Sequence, residues 1–595
     1  MVSHRLTPLS TETESRSPGG QDRAGLFRRL PFSGHSFVEL LELRATDQPA
    51  DIAYTFLRDG EIESEQFTWG ELQQRSQMVG AQLQASVAAG DRALLLYPPG
   101  LEFVAAFFGC LAAGVIAVPL PVPQNDRDTA AIARLRAIAA DATPAAVLTT
   151  AAFLAEWEAG TGSTCRPARH DQPRTNLPGS LRCRWIATDV LPSDGLAVFR
   201  PTRPAASDLA FLQYTSGSTA SPKGVMVSHA NLLHNLTTAF ALSRDASLNP
   251  SVSWLPVTHD LGLIEGVLQP AFRGHPAYLM SPAAFLQRPV RWLAAMTKYR
   301  ASRSGGPNVA YDLCVRRVPP EAHQGLDLSA WQDAYNGAEP IRPETLASFA
   351  AAFADCGFRP DAFRLCYGLA EATLVVAAGG WHGSSASPVS CGTTAEGTAV
   401  AIVDPDTGCP CPDGQTGEIW IRGASVALGY WNRAEETART FGACTTDGRG
   451  GFLRSGDLGY MCRGDLYVTG RLKDILIVRG SKHFPQDLEY TAESAHIGVR
   501  RGCVAAVSLC SGVDGDLVAI LAEVDPRRMG EGAEAGDVAR SIRGAICETH
   551  GVLPHVIALL LPGALPRTTS GKLQRFLCRD GWLARTLPVI EGASV

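Results

Sequence analysis

From Phe37 onward, segments with helically spaced apolar residues alternate with short apolar or β-branched runs. "FTWGELQQRSQMVGAQLQA" places Thr68 ahead of an amphipathic stretch, with Glu71 three positions on. That is a capping-box pattern, and it predicts a helix opening at Thr68. "RALLLY" (92–97) and "AAVLTT" (145–150) each predict a buried strand. The apolar run from Phe103 to Val118 holds 16 residues, interrupted or followed by Gly109, Gly114 and Pro119. It falls short of the roughly 20 residues that span a bilayer. It predicts instead a buried helix ending near Gly114 and then a core strand. After Lys223, "VMVSHANLLHN" predicts a short strand and a helix capped at Ser228 or His229. Strands alternating with helices in this way predict parallel α/β layers.

Between Glu418 and Tyr460 the pattern turns to short strands, glycines and aromatics, as in a small barrel-like element. Beyond Arg471 it predicts strands at 504–509, 517–524 and 556–561 and a helix after Asp537, a compact α+β unit. The expected fold class is therefore α/β. A large N-terminal domain of layered subdomains (36–470) carries the barrel-like element, and a small mobile C-terminal lid domain (471–595) follows. Residues 1–35 are polar, with arginines and acidic residues mixed and no signal-peptide core, and are expected to form a disordered tail.

Composition narrows the function. At 595 residues the chain exceeds one hydrophobic core, and 45% hydrophobic with 19% charged residues is an ordinary globular mixture. A net charge of −6 argues against a nucleic-acid binder. Fifteen cysteines without Cys-x-x-Cys spacing, Cys409-Pro-Cys411 standing alone, point to a reduced cytoplasmic compartment rather than a metal site.

"YTSGSTASPKG" (214–224) gathers Ser216, Ser218 and Thr219 hydroxyls, the backbone of Gly217 and Gly224, and one cation, Lys223. A polar linker, a surface turn and a phosphate-closing loop all fit such a composition. It is not the usual P-loop, which needs Gly-Lys-Ser/Thr and opens its helix at the lysine. Apolar segments on both sides weigh against a linker.

This stretch resembles the phosphate-binding signature of the adenylate-forming superfamily of acyl-CoA synthetases, luciferases and peptide-synthetase adenylation domains. "YGLAEAT" (from Tyr367), "TGEIWIRG" (416), "RSGDLGY" (454), "GRLKDILIVRG" (470) and "PRTTSGKLQR" (566) follow in the superfamily's order. "HDLGLIEGVLQP", "MSPAAFLQRPVRWL", "SGGPNVAYDLCVRR" and "HFPQDLE" are most similar to the fatty acyl-AMP ligase branch. The resemblance covers Phe37 to the C-terminus.

It implies ATP and Mg2+ as cofactors and a fatty acid as substrate. Thr215, Ser216, Gly217, Ser218, Thr219 and Lys223 would grip the phosphates. Glu371 would hold magnesium, Tyr367 with Gly368 and the Gly337–Ala338–Glu339 loop would line the adenine pocket, and Asp457 and Arg471 would meet ribose or phosphate. Lys572 would be catalytic, bonding the acyl carboxylate near His259. Lys473 would be the hinge of the C-terminal domain. Trp254, Leu263, Ile264, Val267 and Met280 are candidates for the acyl pocket. Each has a plainer reading: a helix-surface glutamate, an aspartate turn, solvated lysines, ordinary core.

The branch's insertion after "YGLAEAT" is largely missing here, since only 374–392 links Leu374 to Gly392, and Lys482 stands where the branch has an uncharged amide. Both departures concern the acceptor, which the resemblance gives as the thiol of a separate acyl carrier protein, with CoA as the alternative. Arg471 to Val595 holds 15 basic and 14 acidic residues, a net +1 against −7 for the rest, compatible with docking an acidic carrier. A catalytically silent acyl-binding scaffold is the reading from another class. Neither nucleic acid nor a membrane span is expected.

Overall fold

The computed structural model describes residues 36–123, 129–160, 175–177, 181–192, 199–215, 222–245, 247–384, 387–512, 515–529, 534–567 and 571–594. The tail expected over 1–35 lies outside the described residues.

Two sheets make the body of the large domain. The first has nine strands. It runs from Thr393–Thr394 through Val375–Gly380, Phe363–Gly368, Asp333–Asn336, Arg303–Gly306, Ser251–Ser253, Ala277–Met280 and Ile52–Arg58 to Ile62–Thr68. Its interior, from Phe363–Gly368 to Ile52–Arg58, is parallel, and both edges are antiparallel. The second sheet has six strands in the order Lys223–Ser228, Leu209–Thr215, Ile116–Leu120, Arg92–Leu96, Ala146–Thr149 and Arg184–Ala187. All its pairs are parallel except the first.

The helix Glu102–Ala113 is buried at every position after Glu102 and belongs to the core joining the two sheets. Gly109 permits this. A Cβ there would sit 2.6 Å from Cβ of Val79 on the neighbouring helix Trp69–Gln84. Gly114 ends the helix at φ 69°, and the strand Ile116–Leu120 follows, as its sequence predicts. The capping box is also present: Thr68 Oγ1 accepts from Glu71 N–H at 3.2 Å, and the Glu71 carboxylate accepts from Thr68 N–H at 2.8 Å.

The predicted barrel-like element is an open antiparallel sheet of four strands: Thr398–Val403, Gly417–Gly423, Leu453–Cys462 and Asp465–Arg471. It does not close, because the free edge of its last strand is met by the 390–392 segment. Cys391 N–H donates to Leu466 O, and Leu466 N–H donates to Gly392 O.

The C-terminal domain is a six-stranded sheet centred on Gly515–Val524 and covered on both faces. Ile520, Ala522 and Leu559 pack against the helices Pro485–Ser494 and Ala535–His550, while Ala519, Leu521, Ala558 and Leu560 pack against Arg575–Leu583. That alternation is the two-residue period of a strand buried on both sides. The helix expected after Asp537 starts at Ala535, with Asp537 closing a capping box on Glu534. The strand expected over 504–509 runs from Val499 to Gly512, because the whole stretch pairs with Gly515–Val524.

Besides the chain itself, an ion pair links the domains. Arg342 Nη1 lies 2.7 Å from Oε2 of Glu493, and its guanidinium stands 5.3 Å from the Tyr490 ring centre. Among the described residues, no helix is long and apolar enough to cross a membrane.

Replacing Thr68 by Ala removes the cap of Trp69–Gln84 and costs about 1 kcal/mol. The expected readout is a lower denaturant midpoint at unchanged m-value. An unchanged midpoint would show that the cap does not hold this helix.

Candidate functional site

Parallel strands open their binding crevice beyond their carboxyl ends, and here that crevice faces the C-terminal domain. A cavity of ≈ 1540 Å³ lies there, lined by residues of both domains. Strand Asp333–Asn336 runs into Gly337, Ala338 (φ 68°) and Glu339, and strand Phe363–Gly368 delivers Tyr367 and Gly368. Glu339 accepts from Val309 N–H at 2.6 Å, at the start of helix Asn308–Arg317, and burial pushes its carboxyl up.

Asp457 is a junction. It is almost fully buried, and it accepts from the Tyr367 hydroxyl at 2.9 Å and from Arg471 Nε at 2.8 Å. Its backbone is also paired with Arg471, so two strands of the small sheet bring the acid and the base together. The Asp457 carboxylate is the first cause holding the Arg471 guanidinium up.

A second chain of contacts passes through Tyr430. Its hydroxyl donates to Glu371 Oε1 at 2.8 Å, and its ring lies 5.0 Å below the Lys223 ammonium, which is 3.0 Å from Glu436. The 428–431 segment is docked on the edge of strand Lys223–Ser228, with Met226 N–H donating to Gly429 O and Trp431 N–H to Gly224 O. Burial raises the Glu371 carboxyl, and the Tyr430 hydroxyl opposes that rise.

Lys572 enters from the other domain, just ahead of helix Arg575–Leu583, and lines the same cavity. Desolvation lowers its ammonium from the usual lysine value; Asp260, Glu339 and Asp457 act to raise it and Arg471 to lower it. Facing it, His259 caps the helical turn Asp260–Leu263 and pairs with Asp260 through Nδ1. Burial alone would raise the Asp260 carboxyl, but His259 and Lys572 outweigh it and leave it at about 2.

The structure thus brings Thr215, Lys223, His259, Gly337, Ala338, Glu339, Tyr367, Gly368, Glu371, Asp457, Arg471, Lys473 and Lys572 to one cavity. Thr215 ends its strand directly opposite Lys223 in the antiparallel pair. Ser216, Gly217, Ser218 and Thr219 lie outside the described residues. Lys473 sits in the single turn Leu472–Asp474 between the two domains' sheets.

The five acyl-pocket candidates do not contribute to this cavity. Trp254, Leu263, Ile264, Val267 and Met280 are all core residues, at most 4% exposed, and none lines the cavity. The turns Asp260–Leu263 and Ile264–Leu268 point those side chains inward and present Leu261 and Glu265 to the cavity instead. Trp254 stacks on Phe285 at 4.1 Å. Sequence reasoning also missed Tyr430, whose link to Glu371 is 59 residues long, and Arg342, whose partner is in the other domain.

Comparison with known proteins decides the family. Residues 41–431 match the AMP-binding enzyme family, and residues 473–592 match the AMP domain of the Disco-interacting protein 2-like family. The chain is 39% identical, over 93% of its length and 96% of the relative's, to the medium-chain-fatty-acid–[acyl-carrier-protein] ligase JamA of Moorena producens. It is 37% identical to the 4-hydroxyphenylalkanoate adenylyltransferase of Mycobacterium marinum, covering 97% of both. The crystal structure of the Legionella pneumophila fatty acyl-adenylate ligase with acyl adenylate and pyrophosphate matches at TM-score 0.69 and 39% identity, over 93% of this chain and 97% of that one.

The chain is an AMP-binding enzyme of the fatty acyl-AMP ligase branch.

AMP-binding enzymes of this kind use ATP, with magnesium typical, and the site can be tested for the metal. Among the described residues no three His, Cys, Asp or Glu side chains gather as a metal cluster. Glu371 is a single carboxylate, raised by burial and in want of positive charge. That fits a magnesium ion held by one protein carboxylate, with its remaining ligands from phosphate oxygens and water. In this ligase Tyr430 would then orient the metal-binding carboxylate.

Two predictions follow from the electrostatics. Were adenylation to need Lys572 charged, kcat/KM would hold at low pH and fall as pH rises, with a midpoint below the ordinary lysine value of 10.5. Lys572→Arg moves that limb to higher pH, and an identical limb in the variant removes the assignment. Tyr430→Phe removes a hydrogen bond to a carboxylate while keeping the ring over Lys223, and raises the magnesium concentration at half-maximal rate by roughly tenfold. An unchanged magnesium requirement shows that the hydroxyl does not support a metal ligand.

Proposed function

We propose that this ligase joins the carboxylate of a fatty acid to the α-phosphorus of ATP, then passes the acyl group to the phosphopantetheine thiol of a separate acyl carrier protein. The observation that carries this reading is Lys572 of the small domain, seated in the large domain's cavity among Asp260, Asp457 and Arg471. A carboxylate oxygen forms the new P–O bond while the bond between α-phosphorus and the β-bridging oxygen breaks, and pyrophosphate leaves with the electron pair. Lys572 neutralises the attacking carboxylate and the developing bridging oxygen as they approach. Glu371 would hold a magnesium ion, which would supply charge neutralisation on the phosphates.

Thr215 and Lys223, with Ser216, Gly217, Ser218 and Thr219 between them, hold the β- and γ-phosphates in this reading. Gly337, Ala338, Glu339, Tyr367 and Gly368 line the base, Asp457 receives the ribose hydroxyls, and Arg471 reaches ribose or phosphate. His259 lies beside the acyl carboxylate, and the pair it makes with Asp260 aims a charged face at Lys572. Lys473 is the pivot of the small domain, 471–595, and the residues after it turn between adenylation and transfer, away from the domain spanning 36–470. JamA, by its name, acts on a carrier protein, which supports the acceptor chosen here.

The short connection between Val375–Gly380 and Thr393–Thr394 favours CoA as a second reading of the acceptor, since nothing long is placed there to restrain the C-terminal domain.

Pyrophosphate exchange into ATP, screened across carboxylic acids, tests the first half-reaction; CoA and a loaded carrier, offered afterwards, test the second. Lys572→Ala is expected to lower exchange by about 10²- to 10³-fold while leaving ATP binding within a factor of a few. Wild-type exchange in that variant, or exchange with no acid at all in the native protein, would overturn the reading.

A further inference from the structure

The inner end of the cavity is not apolar. Along strand Phe363–Gly368, Arg364, Cys366 and Gly368 all line it, and along Asp333–Asn336 and its extension so do Asp333, Tyr335 and Gly337. With side chains alternating across a sheet, each set is one face of one strand, running from the nucleotide end toward the strand's start. Arg364 and Gly368 are four residues apart, roughly 13 Å at about 3.3 Å per residue. Along that path helix His229–Leu242 contributes Ala239 and Leu242, and the adjoining strand contributes Val375 and Ala378, the cross-strand partners of Gly368 and Cys366, all small or medium apolar side chains.

The path ends on charge. Arg303, Glu265, Asp333 and Arg364 all line the cavity, and none is more than 7% exposed. Arg303 donates to Glu265 Oε2 through Nε at 3.0 Å and Nη2 at 2.7 Å, and its Nη1 meets Asp333. Arg364 lies 3.3 Å from Asp333 through Nε and donates to Phe363 O at 2.8 Å through Nη1, but its Nη2 makes no hydrogen bond. Glu265 is carried on the wide helical turn Ile264–Leu268. Two cations and two anions balance, so the end of the path is polar without net charge. A methyl group pressed against it would strip water from these groups and return no hydrogen bond. A hydroxyl can accept from Arg364 and donate to a carboxylate at no cost in net charge.

We propose that this end of the cavity recognises a neutral hydroxyl carried far along the acyl chain, so that the preferred substrate is a hydroxylated acid of matching length. The inference rests on the acyl-activating function proposed above and names its substrate class.

The test uses the full-length enzyme in pyrophosphate exchange with acids of graded length, each ending in methyl, hydroxyl, carboxylate or ammonium. The hydroxy acid is expected to exceed its methyl counterpart about tenfold in kcat/KM at the length that reaches Arg364, with no such gap for shorter acids. Arg364→Met is expected to bring that ratio close to one. Glu265→Gln keeps a hydrogen-bond acceptor for Arg303 but leaves the cluster one charge positive, and is expected to turn the preference toward the carboxylate-ended acid. Equal rates for methyl and hydroxyl at every length overturn the inference and leave adenylation standing, as does a native preference for carboxylate or ammonium. Exchange with none of the acids overturns the acyl-activating reading itself.

Discussion

A lysine from one domain sits in a half-desolvated cavity of another, and the rest of the molecule is arranged so that it can stay charged there. Desolvation works against the Lys572 ammonium, and three carboxylates from separate elements work for it: Asp260 beside its helical turn, Glu339 at the end of a strand, Asp457 in the small sheet. A buried ammonium is tolerated only with such partners. All three are themselves tied down, Asp260 by His259 and the Leu261 amide, Asp457 by Tyr367 and Arg471, Glu339 by the Val309 amide. The Arg342–Glu493 pair adds a second ionic contact between the domains.

In the large domain one aromatic ring contacts both Lys223 and the carboxylate Glu371. Tyr430 lies under Lys223 and reaches Glu371, and its segment is hydrogen-bonded to the strand that begins at Lys223. Lys223 and Glu371 are therefore positioned by the same ring, which fixes their separation more firmly than two independent side chains would.

Much of this was legible in the chain, where local patterns decide the outcome. Thr68 with Glu71, Gly114 after an apolar run and the helix opening at Ser228 involve contacts only a few residues long, and the structure has each of them. The motif residues could be read because their types and order are distinctive. Which apolar residues line the cavity was not legible, because apolar residues near the site look alike in sequence whether they face a cavity or a core. Here the turn of Asp260–Leu263 and Ile264–Leu268 sent Leu263, Ile264 and Val267 to the core and Glu265 to the cavity. The charged cluster of Arg303, Asp333 and Arg364 was invisible for a related reason: its members come from three neighbouring strands, and only the sheet makes them neighbours.

The backbone pairing of Asp457 with Arg471, the grip on the nucleotide in the proposed reading, lies upstream of the short turn Leu472–Asp474 between the domains' sheets. A swing that begins at Lys473 would carry Lys572 out of the cavity yet leave that strand pair and its two side chains where they stand. The reactive mixed anhydride could then remain anchored by its sugar end during the exchange of one domain face for another, sheltered until the thiol arrives.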